Sequence, residues 1–211
     1  MSKKNQRFGP RSNNDFRRLV DEQPVAWIVS GNGKDFRASL LPVRPYRTEG
    51  NCITELVGHF PRSNDQVDLL REDPEARVLF LGPNAYISPS WMKDRSWAPT
   101  WNFASAQCRV RIKFFEDENR LRAHLEELVN CMEEGRENQW RLEDIGDRYA
   151  TLARHIIGFT AQIEYREERY KLAQDENDEV FTKIVEGLAK GEHQALLEWV
   201  KRFNPDRPKT G

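Results

Sequence analysis

Two short stretches hold most of the side chains that could do chemistry. The first reads Gly58-His59-Phe60-Pro61-Arg62-Ser63-Asn64. It joins the end of a strand-like run to the start of a helical one. Free N–H groups at a helix start, a guanidinium and a Ser hydroxyl together make an anion site. His59 adds a hydrogen-bond donor or a metal ligand. The same residues also allow a plainer reading, in which Ser63 or Asn64 only caps the helix. The second stretch is Tyr86-Ile87-Ser88-Pro89-Ser90-Trp91, followed by Ala98-Pro99-Thr100-Trp101-Asn102-Phe103. It gathers Trp91, Trp97 and Trp101 among prolines and hydroxyl residues, and a buried indole needs a partner for its N–H. Such a cluster suits the wall of a slot for a flat conjugated ligand, with Ser88, Ser90, Thr100 and Asn102 as directional groups. The alternative is an aromatic cluster packed under a long loop.

Other chemistries lack their residues. No catalytic triad, paired acid–base carboxylates or metal cluster stands out, and Glu116 to Glu118, Glu126-Glu127 and Glu133-Glu134 read as solvated helix faces. Cys52, Cys108 and Cys131 form no C-x-x-C pair, so buried reduced thiols in a cytoplasmic protein are expected rather than disulfides or a thiolate zinc site. His124 falls in an amphipathic helix and His155 and His193 in the helical half, where packing or surface roles are expected. Lys+Arg of 33 against Asp+Glu of 34 gives a net charge of −1, which offers no general attraction to nucleic acid or anionic membrane. The basic run Lys3, Lys4, Arg7, Arg11, Arg17 and Arg18 reads as a solvated terminus, and no helix-turn-helix is evident, so direct DNA binding is not expected. No apolar stretch approaches the ~18 residues of a membrane span.

The elements that must position these groups follow from periodicity. Ser12 to Glu22 is helical, with Phe16, Leu19 and Val20 on one face. Val25–Ser30 and Phe36–Val43 flank Gly31-Asn32-Gly33, a hairpin signal. Cys52–Val57 forms a third strand, and a helix carrying Val67, Leu69 and Leu70 stops at Asp73-Pro74. Arg77–Leu81 and Ala85–Ser88 read as two strands split by Gly82-Pro83-Asn84. Arg109 to Phe115 alternates as a strand with one wet face. Helical patterns cover 118–134 and 142–154, a strand returns at 156–163, and two amphipathic segments close the chain within 178–203. Short strands first and helices later predict a β-barrel or antiparallel sheet with helices outside. No G-x-G-x-x-G or P-loop is present, which excludes a Rossmann fold.

Taken in order, these motifs resemble the PaiB-type proteins, described as FMN-binding negative transcriptional regulators. The resemblance lies in Gly58-His59, Gly82-Pro83-Asn84-Ala85-Tyr86-Ile87-Ser88-Pro89-Ser90-Trp91 and Ala98-Pro99-Thr100-Trp101-Asn102-Phe103. It continues in Arg136-Glu137-Asn138-Gln139-Trp140, Ile156-Ile157-Gly158-Phe159 and Lys171-Leu172-Ala173-Gln174. It runs from about Asp15 to about Leu188. It implies an α+β split β-barrel of the FMN-binding, pyridoxamine-oxidase-like kind. The chain, 1–211, would form one domain, with the barrel over about 23–115 and 156–165, and helices outside it. It further implies a homodimer with the cofactor at the subunit interface, in a tryptophan-lined slot opposite the loop after the third strand. His59, Arg62, Ser63 and Asn64 would face the FMN phosphate. Trp91, Thr100, Trp101 and Asn102 would lie beside the ring, and Lys171 and Gln174 would reach the pocket of the partner subunit.

The chain departs from the family pattern at Leu40, where a pocket histidine is usual, at Asn64-Asp65-Gln66-Val67, at Gln107 and at Val110. A branch of similar proteins, the piperazate synthases, uses haem to close an N–N bond, and there His59 would be the axial iron ligand. Three functions follow: an FMN-dependent redox protein, a haem-dependent enzyme of specialised amino-acid metabolism, and a regulator without catalysis. The first two make the chain an enzyme.

Overall fold

A computed structural model describes residues 7–31, 35–94 and 96–207. Lys3, Lys4 and the Asn32-Gly33 half of the expected hairpin turn lie outside the described residues. Helix α1 (Asn13–Glu22) opens the fold, its start fixed by the Asp15 carboxylate, which accepts from the Ser12 and Arg11 N–H groups at 2.8 Å each. Strands β1 (Val25–Ser30), β2 (Arg37–Glu49) and β3 (Cys52–Pro61) follow, then helix α2 (Gln66–Glu72) and strand β4 (Glu75–Ile87). A single 3₁₀ turn at Pro89–Trp91 leads to β5 (Thr100–Phe115) and helix α3 (Glu118–Glu133). After a 3₁₀ turn at Leu142–Ile145 come helix α4 (Arg148–Ala153), strand β6 (Ile156–Lys171), helix α5 (Asp178–Lys190) and helix α6 (Gln194–Arg202).

The six strands close into an antiparallel barrel in the order β1-β2-β3-β6-β5-β4. Alternation decides its inside: Ile28, Val43, Leu56, Phe60, Val78, Phe80, Val110 and Phe159 are buried in one core. Gly158 serves close packing, since a Cβ there would sit 2.3 Å from the Phe115 ring. Gly31, with φ of 85°, turns the chain out of β1.

Four boundaries differ from the sequence expectation. Gly82-Pro83-Asn84 does not split two strands; it is an irregularity between Leu81 and Asn84 within one continuous β4. Strand β3 runs through to Pro61, so His59 lies in a strand rather than in a loop. The helix expected over 142–154 is interrupted at Gly146, whose φ is 58°. Strand β6 also extends six residues beyond Tyr165, to Lys171.

One mouth of the barrel is sealed by both α1 and α6. Arg166 and Glu168 of β6 pair at 2.7 Å, and the Tyr170 hydroxyl donates to Glu168 at 2.5 Å. Trp199 of α6 stacks on Tyr170 and donates its indole N–H to Glu22 of α1 at 2.7 Å. The expectation of buried thiols holds for Cys108, whose ionisation burial pushes up to about 12; Cys52 is half-buried and Cys131 exposed, and all three are free. No helix among the described residues is long and apolar enough to cross a membrane.

Candidate functional site

His59 and Val57 point outward from β3, on the opposite side from the buried Leu56 and Phe60. Helix α3 covers this part of the outer face, packing Leu121 with Val57 and Phe115. That arrangement brings His124 of α3 to His59: Nδ1 of His59 and Nε2 of His124 are 3.1 Å apart, in hydrogen-bond contact. The rings meet edge-on, with centroids 5.4 Å apart and planes at 66°. His124 is thus buried, as a packing role predicts, and in addition it contacts His59. His155 contributes its carbonyl, which accepts from the Arg62 N–H at 2.8 Å.

Burial lowers the proton affinity of both imidazoles. For His124 the value falls to about 4, through burial first, then the neighbouring His59 and the Arg44 guanidinium. Arg44 is itself paired with Glu127 of α3 at 3.5 Å. A base whose folded-state affinity is depressed stabilises the fold above its unfolded value of 6.5, and that stability is lost as pH falls from there toward 4. Urea unfolding should therefore show a His124-dependent loss of about 2–3 kcal/mol between pH 7 and pH 4.5. His124→Gln should flatten this slope relative to wild type; equal slopes would refute the assignment.

Next to His59 is an open cleft of about 440 Å³ lined by Arg37, Ala38, Ser39, Pro61, Ser63, Asn64 and Asp65. The first two N–H groups of the helix are already occupied. Asn64 caps it, taking the Gln66 N–H on its side-chain oxygen at 2.9 Å and the Val67 N–H on its carbonyl at 3.0 Å. The Asn64 amide donates to Ser39 at 2.8 Å. Arg62 is turned to Glu116 at 2.9 Å and does not line the cleft. The cation that does line it is Arg37, which the sequence reading did not single out; it pairs with the exposed Asp65 at 2.8 Å. Arg37, the Ser39 and Ser63 hydroxyls and the Asn64 amide form a donor set that fits a phosphate monoester, provided Asp65 swings outward into water.

The second group of expected residues lies elsewhere. Gly158 of β6 stands beside His59, whereas Lys171, at the far end of the same strand, stands beside Phe103 of β5. These positions are separated by roughly 40 Å of extended chain. One protomer therefore does not bring the two groups into a single slot. At the far end Lys171 donates to Thr100, and the exposed Trp101 donates its indole N–H to Asn84 at 3.0 Å beside Tyr86. Asn102 is buried, and its side-chain N–H₂ has no partner. Trp91 is half-buried and packs on the core from outside, close against Gly187 of α5. The Gln174 amide is used locally, accepting from the Leu172 N–H and donating to the Tyr170 carbonyl, both at 2.6 Å, around Ala173 in the left-handed region. Among the described residues no cluster of three metal-ligating side chains exists.

Between the two groups runs an apolar outer face. Across β2, β1, β4 and β5, register places Leu40, Trp27, Leu79 and Gln107 in one row, and Pro42 beside Val25 in the next. Val25, Trp27, Leu40, Leu79, Leu81, Tyr86 and Trp101 are all exposed there. Val43, the residue after Pro42, pairs with Gly58, the residue before His59, so the β2 end of this face lies near the histidine. Beyond it Gln107 donates to Glu167 at 2.8 Å, and Arg109 and Arg111 pair with Glu164.

Comparisons with known proteins agree with this architecture. The chain is 27% identical over 139 residues to the protease synthase and sporulation protein PAI 2 of Bacillus subtilis, a match covering 65% of this chain and 66% of that one. A protein of Aspergillus fumigatus is 26% identical over 172 residues, covering 64% and 66%. The chain thus spans just under two thirds of the length of these relatives. Among solved structures, a flavocytochrome from Azotobacter vinelandii superposes with a TM-score of 0.61 at 13% identity, covering 81% of this chain and 72% of that one. An FAD- and haem-binding protein from Mycobacterium smegmatis gives 0.54 at 15% identity, covering 77% and 72%. The model of the family described as "Putative FMN-binding domain" matches residues 4–165. Closed barrel, outward histidine and family match lead to one statement: the chain is a cofactor-binding split-barrel protein of this FMN-binding family.

Proposed function

We propose that the protein is an FMN-dependent redox protein of the PaiB type that works as a homodimer. The observation that carries this reading is a cleft with phosphate-compatible donors at Arg37–Ser39 of β2, the strand whose Leu40 continues into the exposed apolar row of β1 and β4. The cleft holds the phosphate through Arg37, Ser63 and Asn64. Leu40, Pro42 and His59 then floor the ring system, which supplies the electron chemistry when bound. Two copies related by a two-fold axis bury the face against itself. The Trp101, Thr100 and Lys171 end of one copy then lies over the cleft end of the other. The separation of the two residue groups within one chain is what such an interface site requires. The partner's apolar face excludes water from the ring, and Lys171, with no carboxylate partner among the described residues, adds a cation near the bound anion.

FMN titration of the purified protein, followed by absorbance and fluorescence, tests the reading. Arg37→Ala should weaken FMN roughly 10- to 100-fold, the worth of a charge-assisted hydrogen bond, while Arg62→Ala leaves affinity within about threefold. Equal affinity of wild type and Arg37→Ala would place the phosphate elsewhere.

A second reading is favoured by one specific observation. Burial disfavours the charged form of His59, whose Nδ1 contacts His124 while its Nε2 has no hydrogen-bond partner among the described residues. Such a ring is a suitable axial donor for haem iron. In this reading the protein is a haem-dependent enzyme of amino-acid metabolism that forms an N–N bond, and hemin titration should give a single intense band that His59→Ala abolishes.

A further inference from the structure

We propose that His124 is a positioning residue of this site: its Nε2 holds Nδ1 of His59, so that Nε2 of His59 is the group turned toward the bound ligand. The proposal rests on the reading that the ligand lies on the outer face beside β2 and β3.

The geometry has three parts. The 3.1 Å contact is between nitrogens of two rings meeting edge-on, the approach in which an in-plane lone pair meets an in-plane N–H. The pair spans two elements, β3 and α3, so the hydrogen bond fixes the His59 ring from outside its own strand. His124 is 7% exposed, on the helix whose Leu121 packs with Val57 and Phe115, and the Arg44 guanidinium is close enough to lower its proton affinity further. An aliphatic side chain would fill such a site at lower desolvation cost, so an imidazole there needs another reason.

That reason is tautomeric matching. A neutral imidazole has one N–H and one lone pair, and its neighbour sets which nitrogen carries the proton. When His59 donates from Nδ1 to His124, its Nε2 presents a lone pair. When His124 donates from Nε2 to His59, the His59 Nε2 presents an N–H. The pair stays uncharged in both arrangements, because each ring supplies the complement of the other. His59 can therefore offer an acceptor to a metal ion or a donor to a ring carbonyl or phosphate. Gln can also present either an acceptor or a donor, whereas Leu can present neither.

The experiment compares wild type, His124→Leu and His124→Gln as full-length chains. Long-range ¹H–¹⁵N imidazole spectra are recorded first without cofactor. Wild-type His59 should show one dominant neutral tautomer, and His124→Leu should show the averaged pattern of a free ring. FMN and hemin titrations follow, with thermal unfolding as a check on the fold. His124→Leu should bind at least tenfold more weakly while unfolding no earlier than wild type, and His124→Gln should recover affinity to within about threefold. A merely structural role gives the reverse order, with Leu better than Gln. That order, or an averaged His59 tautomer in the wild type, overturns the proposal. Should wild type bind neither FMN nor hemin, the proposed function fails, while the cofactor-free spectra still decide the pair.

Discussion

Changing Trp27 and Leu79 together to Asp is expected to halve the solution mass and abolish FMN uptake. The two residues are directly opposite in the β1–β4 register, 47% and 36% exposed, and flanked by Leu40 and Leu81 on the same face. Large apolar side chains in such a contiguous patch mark an interaction surface. A tryptophan near the centre of an interface is worth 2 kcal/mol or more on truncation, and a carboxylate facing its symmetry copy adds like-charge repulsion. Wild type should therefore sediment at twice the chain mass of 24.8 kDa, and the double variant at that mass itself. Leu152→Asp, at an exposed site on α4 outside the apolar row of β1, β2 and β4, should leave the mass unchanged. A wild-type protein of single-chain mass that still binds FMN would sink the shared site.

The second large effect is on stability. Trp199→Ala should lower the unfolding free energy by about 3–5 kcal/mol, the usual cost of deleting a fully buried aromatic. Trp199 is 0% exposed and stacks on Tyr170 and Phe203, with centroids at 5.5 and 5.9 Å. Its loss also strips Glu22 of the indole donor, leaving that carboxylate to Arg18. Trp199→Phe retains most of the contact area and should cost less than half as much. Chemical denaturation monitored by circular dichroism measures both. A loss below about 1 kcal/mol for the alanine variant would mean that α6 does not seal the barrel.

Much of this architecture was legible in the residues. The alternating wet and dry positions of Arg109 to Phe115 became the outer and inner sides of β5. The apolar spacings of 12–22 and of the two segments within 178–203 became helices, the last two on either side of Gly191. Gly82-Pro83-Asn84 misled because turns and strand irregularities draw on the same residue types, and only the partner strand decides between them. The site was less legible. His124 is one histidine on a helix, and its partner lies 65 positions earlier, a pairing that no local pattern announces. Arg37 enters the cleft through the β2 register, whereas Arg62, closer in sequence to His59, is drawn off by Glu116. Gln174 stands in a recognisable motif, yet its amide serves to hold a turn at Ala173. The motifs of the two ends read as neighbours in sequence order, but the barrel sends them apart along β5 and β6.

The shared mouth formed by α1 and α6 bears on how the chain acquires its structure. Trp199 meets Glu22 across 177 positions, Arg202 meets Asp15, and the Tyr170 N–H meets the Phe8 carbonyl. Contacts this distant in sequence are costly in loop entropy and late to form, so maturation is slow and synthesis must pass α6 before the first helix finds its seat. Until then the faces that Phe16 and Tyr170 bury in the finished fold stay open to water, a condition that favours aggregation.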